Sequence, residues 1–262
     1  MRVDTGRNTT LGPLPVHLVG AGPGDPGLLT RTGAALLEAA DAVFHDELVE
    51  PAMLDLAGAA TRFAVGRRAG GSGRDPVATA TAMARLAFRG VRVVRLKGGD
   101  PYLFGRGAEE AEALLRLGVP FEVVPGVSSA FAAPAAAGIP LTHRSLASSV
   151  TIMTGHRGAD LARWRALATG ADTLVVLMGG SRLAEITAAL VAAGRPASTP
   201  AAVVAAATTA DQRHVVSQLL TVATEAQRLD LGTPAVLVVG EVVGLAETLL
   251  GSTLPALVTA AR

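Results

Sequence analysis

The 262-residue chain contains no cysteine, which excludes disulfides, thiolate metal centres and cysteine nucleophiles together. Aromatic residues make up only 3% of it, too few for the stacking platforms that hold single-stranded nucleic acid. Net charge is nearly absent: 23 basic and 22 acidic side chains leave +1 at pH 7, no field that would gather DNA or an acidic membrane. Long apolar runs are missing too. Mean hydropathy is +0.42, yet Gly, Pro or a charge interrupts each run well short of the roughly 18 residues a spanning helix needs. Residues 1–15 have no apolar segment and read as a disordered tail, not a signal peptide. These absences lead to the expectation of a soluble, cytoplasmic protein that binds neither nucleic acid nor membrane. Lysine is the last scarcity, because Lys97 is the single one in the chain.

What is present is alternation. Short β-branched runs at 16–19, 42–45, 62–65, 91–96 and 121–124 read as strands. Between them, 28–40, 76–89 and 107–117 have helical period, with Asp75 before Pro76 as a start signal. A Pro/Gly/Ala-rich stretch, 125–144, is too apolar for a flexible linker and predicts a short buried helix. Further strands are expected at 149–153, 173–178, 200–207, 213–219 and 234–239. The pattern predicts two α/β domains, 16–128 and 129–246, with mostly parallel or mixed sheets and a cleft between them. Residues 247–262 read as a C-terminal tail.

Two glycine-rich loops could carry chemistry. In "VHLVGAGPGDPGLLT" (16–30), Gly20, Gly22 and Gly24 follow a strand and precede a helix. A dinucleotide turn has that place, but pyrophosphate needs free backbone N–H groups. Pro23 and Pro26 remove donors and Asp25 repels phosphate, so a ligand-free turn and a dinucleotide site both stand as readings. In "RLKGGDPYLFGRG" (95–107), Gly98 and Gly99 let a ligand lie against the main chain. Asp100 follows at the end of a strand, where it suits hydroxyl or ammonium donors rather than phosphate.

The order of "VGAGPGDPGLLT", "KGGDPYLFGRGAEE", "VPGVSSA", "GIPLTHR", "TGH", "LMG" and "TPAVLVVGEVV" resembles the tetrapyrrole methyltransferase family over roughly residues 16–245. The resemblance implies two α/β domains with a tetrapyrrole methylase fold, a homodimer, and S-adenosyl-L-methionine (SAM) as methyl donor, with S-adenosyl-L-homocysteine as its product. It assigns Pro23, Gly98, Gly99, Asp100, Leu103, Ser128, Ser129, Met178, Ala207 and Ala235 to the SAM pocket. The activity it implies is methylation of uroporphyrinogen III at C-2 and C-7 to precorrin-2, within sirohaem or cobalamin synthesis. Another precorrin C-methyltransferase and a non-catalytic SAM- or tetrapyrrole-binding homologue are the alternatives.

Uroporphyrinogen III carries eight carboxylates, which suit arginine forks. The run 66–74, Arg106 and Arg144 offer them, and Arg106 and Arg144 are the substrate-binding candidates. Glu109 lies one helical turn beyond Arg106 and could take a proton or hold Arg106. Asp46 is a second candidate base; His45, His143 and His156 are further possibilities. No histidine spacing suggests a metal. Three positions depart from the family pattern. Glu47 replaces a basic neighbour of Asp46. Arg67 stands where a lysine proton donor is assigned, and arginine does not deprotonate usefully. Ala205-Ala206-Ala207-Thr208 replaces a Glu-Asn-Gly-Thr run, leaving Ala207 in the place of the glycine.

Overall fold

The computed structural model describes residues 12–65, 75–156 and 161–251. Their contacts divide them into two compact units. Unit 1 holds the described residues up to Gly22 together with Pro26–Gly126, and unit 2 holds Pro23–Asp25 and the described residues from Val127 onward. Among the described residues, no helix is long and apolar enough to cross a membrane.

Unit 1 runs β1 (Val16–Gly20), α1 (Arg31–Glu38), β2 (Ala42–His45), α2 (Pro51–Asp55), β3 (Thr61–Ala64), α3 (Pro76–Ala87), β4 (Val93–Lys97), α4 (Gly107–Arg116) and β5 (Phe121–Val124). The strands pair in the order β3-β2-β4-β1-β5, all parallel. Parallel strands are covered on both faces and need continuous apolar runs; β1 and β2 supply them. Leu18, Phe44, Met83 and Leu114 pack on one face, and Val19, Leu37, Val43, Met53 and Leu96 on the other. Helix starts follow their caps. Thr30 accepts the Gly33 N–H at 3.1 Å, and Asp75 accepts that of Val77 at 3.4 Å ahead of Pro76. From β1 the chain crosses to β2 on one side, and from β4 it crosses to β5 on the other. The neighbouring carboxyl ends of β1 and β4 are therefore a switch point, where open parallel sheets receive ligands.

Unit 2 runs α5 (Ser129–Ala136), β6 (Val150–Thr154), α6 (Leu161–Gly170), β7 (Thr173–Leu177), α7 (Leu183–Ala192), β8 (Pro200–Ala205), β9 (Arg213–Gln218), α8 (Val222–Arg228), β10 (Ala235–Val239) and α9 (Ala246–Gly251). The sheet order is β6-β7-β10-β8-β9, with β6 and β7 parallel and the other pairs antiparallel. Its core gathers Trp164, Leu174, Val176, Ile186, Leu190, Val203, Leu219 and Leu237. The helix expected inside 125–144 is α5. Helix α9 (Ala246–Gly251) runs into the stretch expected as a tail from 247 onward, so 247–251 are helical.

Candidate functional site

The loops after β1 and β4 are stitched main chain to main chain. Ala21 donates its N–H to the Lys97 carbonyl at 2.7 Å, and Gly22 and Gly99 exchange N–H···O bonds of 3.2 and 2.8 Å. A β-carbon on Gly20 would stand 2.6 Å from the Gly126 backbone and the Gly99 carbonyl oxygen. Gly20 is thus explained by close backbone packing, without a pyrophosphate. Gly98 differs, since nothing lies within 4 Å of where its β-carbon would be. Beside it, Asp100 Oδ1 accepts the Tyr102 N–H at 2.8 Å and Oδ2 accepts that of Gly126 at 3.1 Å. Each oxygen keeps a lone pair for a further donor. Leu103, half-buried, donates its N–H to the Asp100 carbonyl at 3.4 Å.

Below that loop β4 carries two cations into the core. Strand alternation puts Arg95 and Lys97 on one face, 3% and 1% exposed. The answering acid is Glu110, 4% exposed, in the buried stripe of α4 with Gly107, Ala111 and Leu114. Glu110 Oε1 accepts from Arg95 Nε at 2.9 Å and Oε2 from Lys97 Nζ at 3.0 Å. Arg95 also donates to the carbonyls of Phe44 and Leu96, at 3.4 and 3.0 Å, and to the Asp46 carboxylate. The other Asp46 oxygen accepts the Gly98 N–H at 3.3 Å. Desolvation, and then the Arg95 charge, pull the Lys97 pKa down against the attraction of Asp46 and Glu110. At Arg95 desolvation also opposes the charge, but Asp46 and Glu110 outweigh it and the pKa is raised. Asp46 therefore has its carboxylate engaged by Arg95 and the Gly98 amide.

The outer side of the same α4 turn carries the expected pair. Arg106 is the N-cap with φ 57°, and its Nε donates to Glu109 Oε1 at 3.4 Å, both side chains being largely exposed. Arg144 is exposed in the turn closed by His143 and Ala147. The His45 Nδ1–H donates to the Asp46 carbonyl at 3.0 Å.

Unit 2 holds the other nominated residues. The loop opened by Pro23 lies against 207–209, where the Asp25 N–H donates to Thr208 Oγ1 at 3.1 Å. Ala235 is in register with Ala205, and Ala206 donates its N–H to the Pro234 carbonyl at 3.0 Å. The half-exposed Met178 has φ 56°. Ala207 does not need to be glycine; the left-handed conformation falls instead on Ala206 (φ 46°) and Thr208 (φ 66°). Ser128 is buried and caps α5, accepting the Ala130 N–H at 3.2 Å, and Ser129 begins that helix. Left-handed non-glycine residues each cost about 1–3 kcal/mol and cluster at functional sites. Phe104, Arg106, Met178, Ala206 and Thr208 lie in the nominated loops, while Asp230 (φ 50°), after α8, lies outside them.

Arg67 and the rest of 66–74 lie outside the described residues. Among the described residues, no group of three or more acidic or histidine side chains could hold a metal ion. Sequence reasoning missed Glu110 and the cations it holds. The signal was there: two cations at alternate positions of a central parallel strand share a face and require a buried acid.

Residues 15–223 match the family model of tetrapyrrole (corrin/porphyrin) methylases. A uroporphyrinogen-III C-methyltransferase of Synechocystis sp. is 43% identical over 233 residues, 87% of this chain and 89% of that protein. Siroheme synthase 1 of Yersinia enterocolitica is 49% identical over 233 residues, 88% of this chain and 49% of that protein. The chain thus spans about half the length of the siroheme synthases it matches. A uroporphyrin-III C-methyltransferase of Thermus thermophilus, solved with S-adenosyl homocysteine, superposes with TM-score 0.75 at 41% identity, covering 88% of this chain and 99% of that one.

Proposed function

The chain belongs to the tetrapyrrole methylase family, and on that premise we propose that it methylates uroporphyrinogen III at C-2 and C-7, giving precorrin-2, with SAM as methyl donor. The observation that carries this reading is the loop after β4. It offers open main chain at Gly98 and an acid with spare lone pairs at Asp100. The Arg106–Glu109 pair follows within the same unit.

SAM has hydroxyl and ammonium donors that suit Asp100, and without a phosphate it does not need the backbone donors that Pro23 and Pro26 remove from the first loop. In the proposal Gly98, Gly99, Asp100 and Leu103 hold it, as do Pro23, Ser128, Ser129, Met178, Ala207 and Ala235. When bound, SAM supplies an electrophilic methyl group to an electron-rich pyrrole carbon. Arg106 and Arg144 bind substrate carboxylates and align that carbon. Arg67 belongs with them, as a carboxylate ligand and not a proton donor. Methylation obliges the macrocycle to shed a proton, and Glu109 accepts it at Oε2, the oxygen that does not accept from Arg106. Asp46 holds Arg95 and the Gly98 amide instead. The proposal includes a homodimer acting in the cytoplasm; light scattering at the monomer mass, 26.4 kDa, at micromolar concentration contradicts the dimer.

The test is product mass. Purified protein with uroporphyrinogen III and SAM should yield two added methyl groups per macrocycle. Binding of SAM without any mass gain would leave a binding protein and sink the enzymatic reading.

A further inference from the structure

The buried ionic cluster has no part in the chemistry proposed above, and stability alone does not account for it. Burying an ion pair removes both charges from water, and apolar residues of similar volume often serve stability as well or better. Ionic contacts do supply direction, because their geometry admits few alternative packings. Here the contacts join the end of β4 to the first turn of α4, the two elements that flank the loop 98–106.

That loop is poorly suited to hold its own shape. Phe104 and Arg106 sit in the left-handed region at φ 56° and 57°, and Gly105 separates them. Its main-chain closure includes the Gly107 N–H on the Pro101 carbonyl at 3.0 Å. Glu110 closes the loop from beneath, through Arg95 at 2.9 Å and Lys97 at 3.0 Å. It is also adjacent in sequence to Glu109, but about 100° of helix rotation separates the two, and their side chains are 5% and 51% exposed.

We propose that Glu110 is a positioning residue for methyl transfer. From the inner side of the first turn of α4 it grips Arg95 and Lys97, and so fixes the Arg106–Glu109 pair in register with the Gly98–Gly99–Asp100 loop. The assignment rests on the function proposed above. It gives the single lysine its role: Lys97 is the second half of a two-point grip, one carboxylate oxygen for each cation. Arg95 connects that grip through Asp46 to the Gly98 amide.

The experiment compares the wild type with Glu110→Gln, Glu110→Asp and the double variant Lys97→Met/Glu110→Gln. The double variant keeps the cluster neutral, with Arg95 facing Asp46, and so stays folded even if the single Gln variant does not. Asp46 and Arg95 still hold the Gly98 amide in it. SAM affinity by calorimetry should therefore stay within about twofold, while kcat with uroporphyrinogen III falls roughly 10- to 100-fold, the cost of a misplacement near 1 Å. Glu110→Asp keeps the charge but shortens the reach, and should recover thermal stability over the Gln variant without recovering kcat. Wild-type kcat and KM in the folded double variant would overturn the role of Glu110, as would full recovery of kcat in Glu110→Asp. A wild type that makes no methylated product would instead overturn the function, and this role with it.

Discussion

The two units bury polarity in opposite ways. Among the described residues of unit 2, the buried polar side chains are Ser128, Thr173, Thr187 and Thr199, all hydroxyls and none charged. In unit 1 Arg95, Lys97 and Glu110 are buried, as is Thr79. Strained main chain has its own distribution: among the described non-glycine residues, unit 2 has Met178, Ala206, Thr208 and Asp230 at positive φ, and unit 1 has Phe104 and Arg106. The difference assigns labour. Unit 1 supplies ionisable side chains held by other ionisable side chains, while unit 2 offers backbone shape on an apolar core. In the proposal unit 1 aims the Arg106–Glu109 pair from a core that holds charges, whereas unit 2 contributes Arg144 from an exposed turn and needs no charge in its core.

The largest expected effect tests that contrast directly. Glu110→Gln leaves two buried cations with one acid and should cost about 3–5 kcal/mol. Leu174→Ala in unit 2, at a fully buried position, should cost about 2–5 kcal/mol through its cavity. The two losses are similar in size but differ in how they can be repaired. Adding Lys97→Met to Glu110→Gln should restore much of the stability, because it rebalances charge. Chemical denaturation showing no recovery in the double variant would mean that charge balance is not what the core of unit 1 depends on.

Asp100 comes next. Its oxygens accept two loop amides at 2.8 and 3.1 Å, so Asp100→Ala should lower stability and SAM affinity together, by about 1.5–3 kcal/mol for lost bonds to a charged acceptor. Ser128→Ala in unit 2 removes a helix cap, worth about 0.5–2 kcal/mol of stability. Calorimetry and thermal melting on both variants separate the cases. An Asp100→Ala protein with unchanged SAM affinity would reduce Asp100 to a loop brace.

Much of this was legible in the sequence. The strands and the helices starting at Pro76 and Gly107 follow from local period and caps, which are short-range signals. The mixed pairing of unit 2 is not short-range, since β10 enters between β7 and β8, strands far from it in the chain. In the candidate site, motif order nominates Asp100, and helical spacing puts Glu109 one turn from Arg106, where the two are hydrogen-bonded. Glu110 was passed over because neighbouring Glu109 matched an expected role, although helical spacing puts Glu110 in line with Gly107, Ala111 and Leu114. Asp46 looked like a base because its partner, Arg95, lies 49 residues away along the chain. Such pairing appears only once β2 and β4 are adjacent.

A smaller effect probes the backbone of unit 2. Ala206 has φ 46°, a conformation that Asn or Gly tolerates better. Ala206→Gly should be stabilising by roughly 0.5–1 kcal/mol, relief of the strain less the added freedom of the unfolded chain. The same change at Ala111, in the buried stripe of α4, should destabilise by about 1 kcal/mol. A destabilised Ala206→Gly protein would show that the methyl group at 206 contributes packing that outweighs its strain.

The smallest effect concerns two surface aspartates, one in each unit. Asp41 in unit 1 is held down to a pKa of about 2 by hydrogen bonds from the Arg92 side chain and backbone, with its charge adding to them. The guanidinium grips both oxygens, at 2.9 and 2.6 Å. Asp172 in unit 2 is also lowered, but by the backbone and hydroxyl groups of Ser148 and Ser149, which carry no charge. Both folded-state values lie below the unfolded ones, so each contribution to stability is present above the unfolded value near 3.8 and disappears as pH falls through the folded value. For Asp41 the window runs from about pH 4 to about pH 2, and Asp41→Asn should flatten the acid limb of the stability curve there. Salt separates the two. Raising it from 0.1 to 1 M shortens the Debye length from about 10 to about 3 Å, which weakens an exposed charge pair and leaves neutral donors unaffected. Carboxyl NMR titrations should show the Asp41 pKa climbing with salt and that of Asp172 moving much less, since the cation beside it, Arg195, bonds its carbonyl and not its carboxylate. If both climb together, Asp172 is governed by charge as well, and the contrast between the units does not extend to their surfaces.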